Sequence, residues 1–202
     1  MTTQKQIGLL SLPVFVAALG YFVDVYDLLL FTIVRQPSVM SLGSTTETII
    51  VDSAHIINWQ MSGLLIGGIV WGILGDKKGR LKVLFGSIVL YSAANFLTSF
   101  VQTVDQYAYC RFIGGIGLAG ELGAGITLVS EMLPKDKRGI GTSMVAGVGL
   151  FGAVFAYFTF KATSNWRLCY QIGGVLGFFL LILRVKVAES FMFESAKMSS
   201  IS

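Results

Sequence analysis

Six long apolar stretches, separated by short polar segments, constrain this chain more than any other feature of its sequence. They cover residues 13–34, 54–75, 81–102, 106–132, 140–161 and 166–188. Each is long enough to cross a bilayer as a helix, which takes about 20 mostly apolar residues. The sequence therefore predicts an all-α membrane protein with six transmembrane helices.

The composition agrees with a protein that lies in a lipid bilayer. Of the 202 residues, 54% are hydrophobic and 13% are charged, which leaves too little polar surface for a soluble domain of this size. The 24 glycines suit helices that pack closely in a membrane. The basic residues lie in short segments between apolar stretches, so the net charge of +4 does not indicate nucleic-acid binding. Cys110 and Cys169 fall in apolar stretches, and we expect buried thiols rather than a disulfide.

The distribution of lysine and arginine predicts how the helices are oriented. The segments between the helices alternate between the two sides of the membrane. Eleven of these residues fall in segments on the same side as the N-terminus and three in segments on the opposite side. Cytoplasmic segments of membrane proteins are enriched in such residues. We therefore expect an integral protein of the plasma (inner) membrane with both termini in the cytoplasm. The predicted parts are a cytoplasmic N-terminus (1–12), the bundle (13–188) and a cytoplasmic tail (189–202). The eleven are Lys5, Lys77, Lys78, Arg80, Lys82, Lys135, Lys137, Arg138, Arg184, Lys186 and Lys197, and the three are Arg35, Lys161 and Arg167.

Four ionisable residues lie inside the predicted membrane helices: Asp24, Asp27, Arg111 and Glu121. Such residues are costly in hydrocarbon and usually functional. Asp24 and Asp27 share one helix face. At 1.5 Å per residue, Asp27 and Arg111 lie roughly 10 Å and 8 Å from the same membrane surface, so the two can pair if their helices are neighbours. Such a pair is either a proton switch or a static ion pair that holds two helices together.

Several other patterns are interpreted as structural. His55 has no partner in the sequence and lies at the outer end of the second stretch. The stretch GIGLAG matches a dinucleotide-binding pattern but lies inside an apolar helix with no preceding strand, so it indicates helix packing. We expect no metal and no cofactor. Three pairs of small residues indicate helix packing as well: Gly63 and Gly67, Gly68 and Gly72, and Gly149 and Ala153.

The segment GILGDKKGR between the second and third stretches resembles a motif of the major facilitator superfamily, G-x-x-x-D-[RK]-x-G-[RK]-[RK]. Gly72, Asp76, Gly79 and Arg80 match that pattern, and Leu81 replaces its last basic residue. Two further segments resemble family motifs in the expected order, RFIGGIG from Arg111 and EMLPKDKRG from Glu131 to Gly139. The resemblance covers residues 10 to 190.

This resemblance implies both a fold and a mechanism. The fold is the N-terminal six-helix half of a twelve-helix transporter, built as a 3+3 inverted repeat. The cytoplasmic loops are implied to form a charge cluster that latches the helix ends in one state of the transport cycle. Its members by matching position are Asp76, Arg80, Glu131 and Arg138. Asp24 and Asp27 in the first helix and Gly120 and Glu121 in the fourth resemble the metabolite:proton and aromatic-acid:proton symporter branches. The sugar-porter branch is similar in that a first-helix aspartate pairs with the fourth-helix arginine for proton coupling. Asp24, Asp27, Arg111 and Glu121 are then the expected proton-coupling and cavity residues.

The expected partners are protons, the lipid bilayer and a small organic solute such as a sugar, a carboxylate or another metabolite. The chain is interpreted as a truncated or half-length member that requires a second six-helix half or a second copy of itself. The alternative is a non-transporting remnant or a membrane interaction subunit. A membrane-embedded enzyme is disfavoured, because the sequence has no histidine cluster, nucleophile–base pair or metal-ligand spacing.

Overall fold

The chain forms six α-helices in the order predicted from its apolar stretches. The computed structural model describes residues 11–134 and 136–199, with the backbone alone at 13, 80–81, 122–132 and 187–199. The helices are α1 (Leu12–Ser41), α2 (Ile49–Lys78), α3 (Arg80–Thr98), α4 (Val104–Met132), α5 (Arg138–Thr163) and α6 (Trp166–Ser199).

Helix packing divides the bundle into two equivalent triplets, α1–α3 and α4–α6. The first helix of each triplet packs mainly on the other triplet's second helix, so that α1 packs on α5 and α4 packs on α2. Each first helix also packs on the third helix of the other triplet, α1 on α6 and α4 on α3. Two triplets that exchange partners in this way have the relation expected of a 3+3 repeat. The arrangement brings α1 and α4 together in the interior.

A single glycine joins α2 to α3. Gly79 has a φ of 88°, in the left-handed region that glycine adopts without strain. The preceding residues Lys77 and Lys78 form the last turn of α2, where basic side chains interact favourably with the helix dipole. The GILGDKKGR segment, which the sequence suggested was a loop, is therefore the end of one helix, one turn residue and the start of the next.

Glycines explain how closely the helices approach. Gly67 of α2 faces the backbone of α4, where an added methyl group would lie 2.7 Å from the Ile116 Cα atom. Gly149 of α5 packs in the same manner against Tyr21 of α1. In contrast, Gly68 and Gly72 have no described atom within 4 Å of an added methyl group. The packing interpretation of this last pair is wrong within the described part of the chain, because it lies on the outer surface of α2.

Among the described residues, four helices are long and apolar enough to cross a membrane, and α3 adds a shorter apolar segment, Lys82–Thr98. The helix α6 continues to Ser199, beyond the predicted span end at 188, so the segment interpreted as a polar tail begins as helix. The predicted N-terminal segment 1–12 lies almost wholly outside the described residues. Cys110 and Cys169 are free thiols, half-buried and buried respectively, as expected.

Candidate functional site

The first ionic site in the bundle is a pair formed by Asp27 of α1 and Arg111 of α4. The Arg111 Nη1 atom lies 3.1 Å from Asp27 Oδ1, and each side chain is 1% exposed. The pairing predicted from the depths of the two residues is therefore present. We call Asp27 and Arg111 the outer pair.

Hydrogen bonds from Arg111 tie four helices together. Its Nη1 also donates to Asn95 Oδ1 of α3 at 3.0 Å, and its Nε donates to Gln60 Oε1 of α2 at 3.3 Å. Its Nη2 donates to the backbone carbonyl of Asp27 at 3.3 Å. The guanidinium also lies 5.4 Å from the centre of the Tyr170 ring of α6. A charge-assisted network with this many partners holds the cation in one position.

An aromatic layer covers the outer pair on the side of α6. Tyr107 donates from its hydroxyl to the Tyr170 hydroxyl at 2.7 Å, and Tyr26 donates to the Cys169 carbonyl at 2.8 Å. Trp166 stacks on Tyr107 with ring centres 5.5 Å apart. The three tyrosines are fully buried, so the layer keeps the outer pair in dry surroundings.

A second ionic site lies about 15 Å farther along α4, ten residues beyond Arg111 at 1.5 Å per residue. Here Arg184 Nη2 of α6 lies 2.6 Å from Glu121 Oε1, with exposures of 9% and 0%. The distance is that of an ion pair, but neither Glu121 oxygen has a partner in hydrogen-bond geometry. Opposite charges attract in any orientation, so this contact is an ion pair.

Asp24 and Tyr91 complete the second site. Asp24 of α1 is 2% exposed and lies one helical turn beyond Gly20, where an added methyl group would lie 3.1 Å from both Arg184 Cζ and Glu121 Oε1. Asp24 therefore shares the face of α1 that meets these two residues. Tyr91 of α3 is fully buried, its ring lies beside Gly177 of α6, and it is within range of the same three charges. Both the Tyr91 hydroxyl and Asp24 Oδ1 lack a hydrogen-bond partner among the described atoms. We call Asp24, Tyr91, Glu121 and Arg184 the inner cluster.

The structure thus separates the four residues that the sequence grouped as one site. Asp27 and Arg111 lie together, whereas Glu121 has its own cation. The assignment of Arg184 to a cytoplasmic loop is wrong, since its side chain is buried in the bundle, and the lysine and arginine count becomes ten to three. Sequence reasoning also missed Gln60 and Asn95. The signal was available, because Arg184 falls within the predicted span 166–188 and both amides interrupt apolar stretches.

The residues expected to form the cytoplasmic latch are only partly described. Asp76 is exposed and forms no ion pair with a described side chain. Arg138 donates from Nε to the Leu133 carbonyl at 3.0 Å. The side chains of Arg80 and Glu131 lie outside the described part of the chain, so the latch stays a prediction.

His55 has a partner that the sequence did not reveal. Its Nε2 atom lies 3.3 Å from Asp105 Oδ1 near the N-terminal ends of α2 and α4, and both side chains are exposed. His55 also meets the edge of Trp59. Within the residues described, no three histidine, cysteine or acidic side chains converge as metal ligands.

Comparison with protein families matches residues 10–196 to the family described as Major Facilitator Superfamily. Over 180 residues the chain is 31% identical to a Haemophilus influenzae protein assigned to metabolite transport, covering 88% of this chain and 43% of the relative. It is 28% identical to the niacin transporter NiaP of Acinetobacter baylyi, covering 87% and 40%. It is 29% identical to the 3-(3-hydroxy-phenyl)propionate transporter of Escherichia coli, covering 82% and 42%. The chain therefore spans less than half the length of these relatives.

Solved structures with the same fold include those of the xylose transporter XylE. The chain matches XylE with a TM-score of 0.75 at 18% identity, covering 87% of this chain and 44% of that one. A partially occluded inward-open structure of XylE from E. coli gives a TM-score of 0.74 at 19% identity, covering 87% and 49%. At this identity the similarity shows the fold alone.

Proposed function

The chain belongs to the major facilitator superfamily, as its motifs predicted, and from this we propose that it is one six-helix half of a proton-coupled secondary transporter. The cargo is a small organic solute, such as a sugar, a carboxylate or another metabolite. Its named relatives are transporters, which agrees with the expectation that the chain is not an enzyme.

The observation that carries this proposal is the outer pair between the first helices of the two triplets. An isolated ion at this depth would cost a few kcal/mol in the hydrocarbon, and pairing offsets much of that cost. Protonation of Asp27 removes one charge and releases Arg111 from its strongest partner. Proton binding on Asp27 can therefore alternate with movement of α1 against α4, which is the step that couples a proton to a solute.

A complete transporter of this kind places its solute between two six-helix halves. The proposal therefore includes a complementary half, supplied either by a further segment or by a second copy of this chain. Its support is that the chain covers 40 to 43% of the three relatives compared above. Crosslinking in native membranes followed by mass spectrometry distinguishes a homodimer from a complex with a different partner, and a chain that remains monomeric contradicts both.

In the proposed orientation the chain lies in the plasma (inner) membrane with both termini in the cytoplasm. The ten-to-three distribution of lysine and arginine supports it. The proposal also keeps the latch of Asp76, Arg80, Glu131 and Arg138 at the cytoplasmic helix ends. A reporter fused after residue 45 is expected outside, and a cytoplasmic signal there contradicts the orientation. Asp76→Asn is expected to slow transport without lowering expression, and an unchanged rate would leave the segment as a topology signal only.

Proton coupling is tested by replacing Asp27 with a neutral residue of the same shape. In vesicles that contain the chain with any half that copurifies, we expect Asp27→Asn to exchange solute but not to accumulate it along a pH gradient. Niacin, 3-(3-hydroxyphenyl)propionate and xylose are suitable labelled probes, because related proteins are named for them. The matched control is Asp105→Asn, an exposed aspartate at the outer end of α4, which should accumulate solute like the parent.

Two results would contradict the proposal in different ways. Accumulation by Asp27→Asn equal to that of the parent would show that Asp27 is not the coupling carboxylate. No uptake or exchange of any probe by the parent protein, with the complementary half present, would instead favour the alternative of a non-transporting membrane subunit.

A further inference from the structure

The inner cluster contains more negative than positive groups. Asp24 and Glu121 both lie at or below 2% exposure, and among the described side chains the cation beside them is Arg184. The outer pair, by comparison, balances one carboxylate with one guanidinium. Two carboxylates beside one cation would leave a buried net negative charge if both were ionised.

No other described group supplies the missing positive charge. The helix α3 contributes the neutral hydroxyl of Tyr91, and Arg111 on α4 is already held by the outer pair. The described charged residues of α2 and α5 lie at the ends of those helices. The next charged residue on α1 is Asp27, three residues beyond Asp24, which is also negative and is paired with Arg111.

Two carboxylates that share a dry site do not both stay ionised, because their repulsion and the loss of hydration favour binding of a proton by one of them. We propose that Asp24, Glu121 and Arg184 form a binding site for one exchangeable proton, separate from the outer pair. The proton belongs to the two carboxylates jointly rather than to either residue. Only the use of this proton in transport rests on the proposed function.

The hydrogen bonding of the inner cluster agrees with a site that gains and loses a proton. Asp24 Oδ1, both Glu121 oxygens and Arg184 Nη1 have no hydrogen-bond partner among the described atoms. A carboxylate only accepts hydrogen bonds, whereas a carboxylic acid also donates one. A proton on either residue therefore adds a donor in a site where oxygen acceptors are unpaired.

Gly20 of α1 gives Arg184 access to Glu121. A methyl group at this position would lie 3.1 Å from both Arg184 Cζ and Glu121 Oε1, and would overlap Arg184 Nη2. The guanidinium thus crosses α1 where the helix has no side chain. Because the obstructed group is the flexible end of an arginine, Gly20→Ala displaces the cation rather than the helix. Gly20 is therefore a positioning residue for the proton site.

The bound proton can be observed directly by infrared spectroscopy of the purified chain in lipid, without any transport. A protonated carboxyl group has a carbonyl band that ionised carboxylates lack. We expect this band at neutral pH in the parent protein, with a shift in D₂O because the proton exchanges. Carbon-13 labelling of aspartate or glutamate carboxyls should shift the same band, which assigns it in the parent without relying on any variant.

Variants then test the charge balance. Glu121→Gln and Asp24→Asn each leave one carboxylate with one cation, so each should abolish the band. Arg184→Met leaves two carboxylates without a cation, so both should bind a proton and give about twice the intensity. Gly20→Ala should also raise the intensity of the band, but by less than Arg184→Met does. Asp105→Asn, with its exposed carboxylate, should leave the spectrum unchanged.

The proposal is overturned if the parent shows no protonated carboxyl band at neutral pH, or if the band persists in both Glu121→Gln and Asp24→Asn. It is also overturned if Arg184→Met lowers the band in folded protein. These outcomes are independent of the proposed function. If the protonated carboxyl band is present but the protein shows no proton-driven uptake, the proton site is supported and its role in transport is contradicted. If uptake is proton-driven but the band is absent, only the proton site of the inner cluster is contradicted.

Discussion

The outer pair and the inner cluster are both buried ionic sites in one bundle, yet they differ in charge balance and in hydrogen bonding. Arg111 makes four hydrogen bonds, which reach three other helices. Glu121 is approached by Arg184 at 2.6 Å without a hydrogen bond, beside a second carboxylate. The comparison teaches that burial alone does not decide what an intramembrane charge does. A balanced, bonded pair binds a proton only when it separates, whereas an unbalanced site favours a bound proton while its groups stay together.

The hydroxyl groups around the two sites also differ in how fully they are hydrogen-bonded. The outer pair lies beside an aromatic layer whose hydroxyls are hydrogen-bonded, as between Tyr107 and Tyr170. The inner cluster faces the Tyr91 hydroxyl, which has no described partner. In the outer region Asp27 Oδ2 and Asn95 Nδ2 lack a described partner, but Arg111 and the neighbouring hydroxyls are bonded. In the inner cluster every one of the four side chains has an unpaired atom, so this region can rearrange more readily when its charge changes.

The largest expected effect is the loss of Arg111. Arg111→Leu leaves Asp27 as an uncompensated buried charge and removes four hydrogen bonds, so we expect a loss of about 3–5 kcal/mol in the free energy of unfolding. Arg184→Leu should cost less, because Arg184 makes one ion pair and no described hydrogen bond, whereas Arg111 makes four hydrogen bonds. Reversible unfolding in mixed detergent micelles measures both variants.

The matched control for these arginines is Arg35→Leu, since Arg35 is exposed at the outer end of α1. Its effect on the free energy of unfolding should stay within about 0.5 kcal/mol. If Arg184→Leu destabilises the chain as much as Arg111→Leu does, the two sites are equally structural and the comparison fails.

The fold and half of the candidate site were predictable from the sequence, because both depend on regular helix geometry. Six apolar stretches set the helices, and a fixed rise per residue placed Asp27 and Arg111 at similar depth. The same arithmetic applied to Arg184 would have placed it inside the last span. Its neighbour Lys186 and the rule on basic loop residues led to a loop assignment instead.

The remaining errors of the sequence-based prediction concern which face of each helix turns toward its neighbours. The periodicity of the sequence alone does not determine how a helix is rotated about its own axis. Gly67 and Gly68 are adjacent and equally suited to close packing, yet only Gly67 faces α4. The partners Gln60 and Asn95 likewise depended on which face of α2 and α3 turns toward Arg111. Neutral amides in apolar stretches are a usable signal, since a buried amide requires hydrogen-bond partners.

The next largest expected change in the free energy of unfolding comes from replacing one glycine in each region. A methyl group at Gly115 would lie 3.1 Å from the Leu64 backbone nitrogen and overlap the Gln60 carbonyl, so Gly115→Ala must separate α4 from α2. We expect it to cost about 1–3 kcal/mol in the free energy of unfolding. Gly20→Ala should cost less than Gly115→Ala, because the added methyl group meets the ends of the Arg184 and Glu121 side chains rather than backbone atoms.

Gly68→Ala is the control for this pair, because an added methyl group there meets no described atom. Alanine favours a helix over glycine, so the control should be neutral or slightly stabilising. Equal destabilisation by Gly20→Ala and Gly115→Ala would show that the inner region is as rigid as the outer one.

The smallest expected effect comes from removing one hydroxyl group in each region. Tyr107→Phe deletes the donor to the Tyr170 hydroxyl at 2.7 Å and leaves that group without its bond, so it should cost about 0.5–1.5 kcal/mol. Tyr91→Phe deletes a buried hydroxyl with no described partner, and removal of an unpaired polar group is neutral or stabilising. Both substitutions keep the ring, so the packing is the same and the difference between the two free energies of unfolding reports the hydrogen bond alone. A loss for Tyr91→Phe as large as that for Tyr107→Phe would mean that the Tyr91 hydroxyl is bonded within the inner cluster. That result would show a closed inner network, in contrast to the open one inferred from its unpaired oxygens.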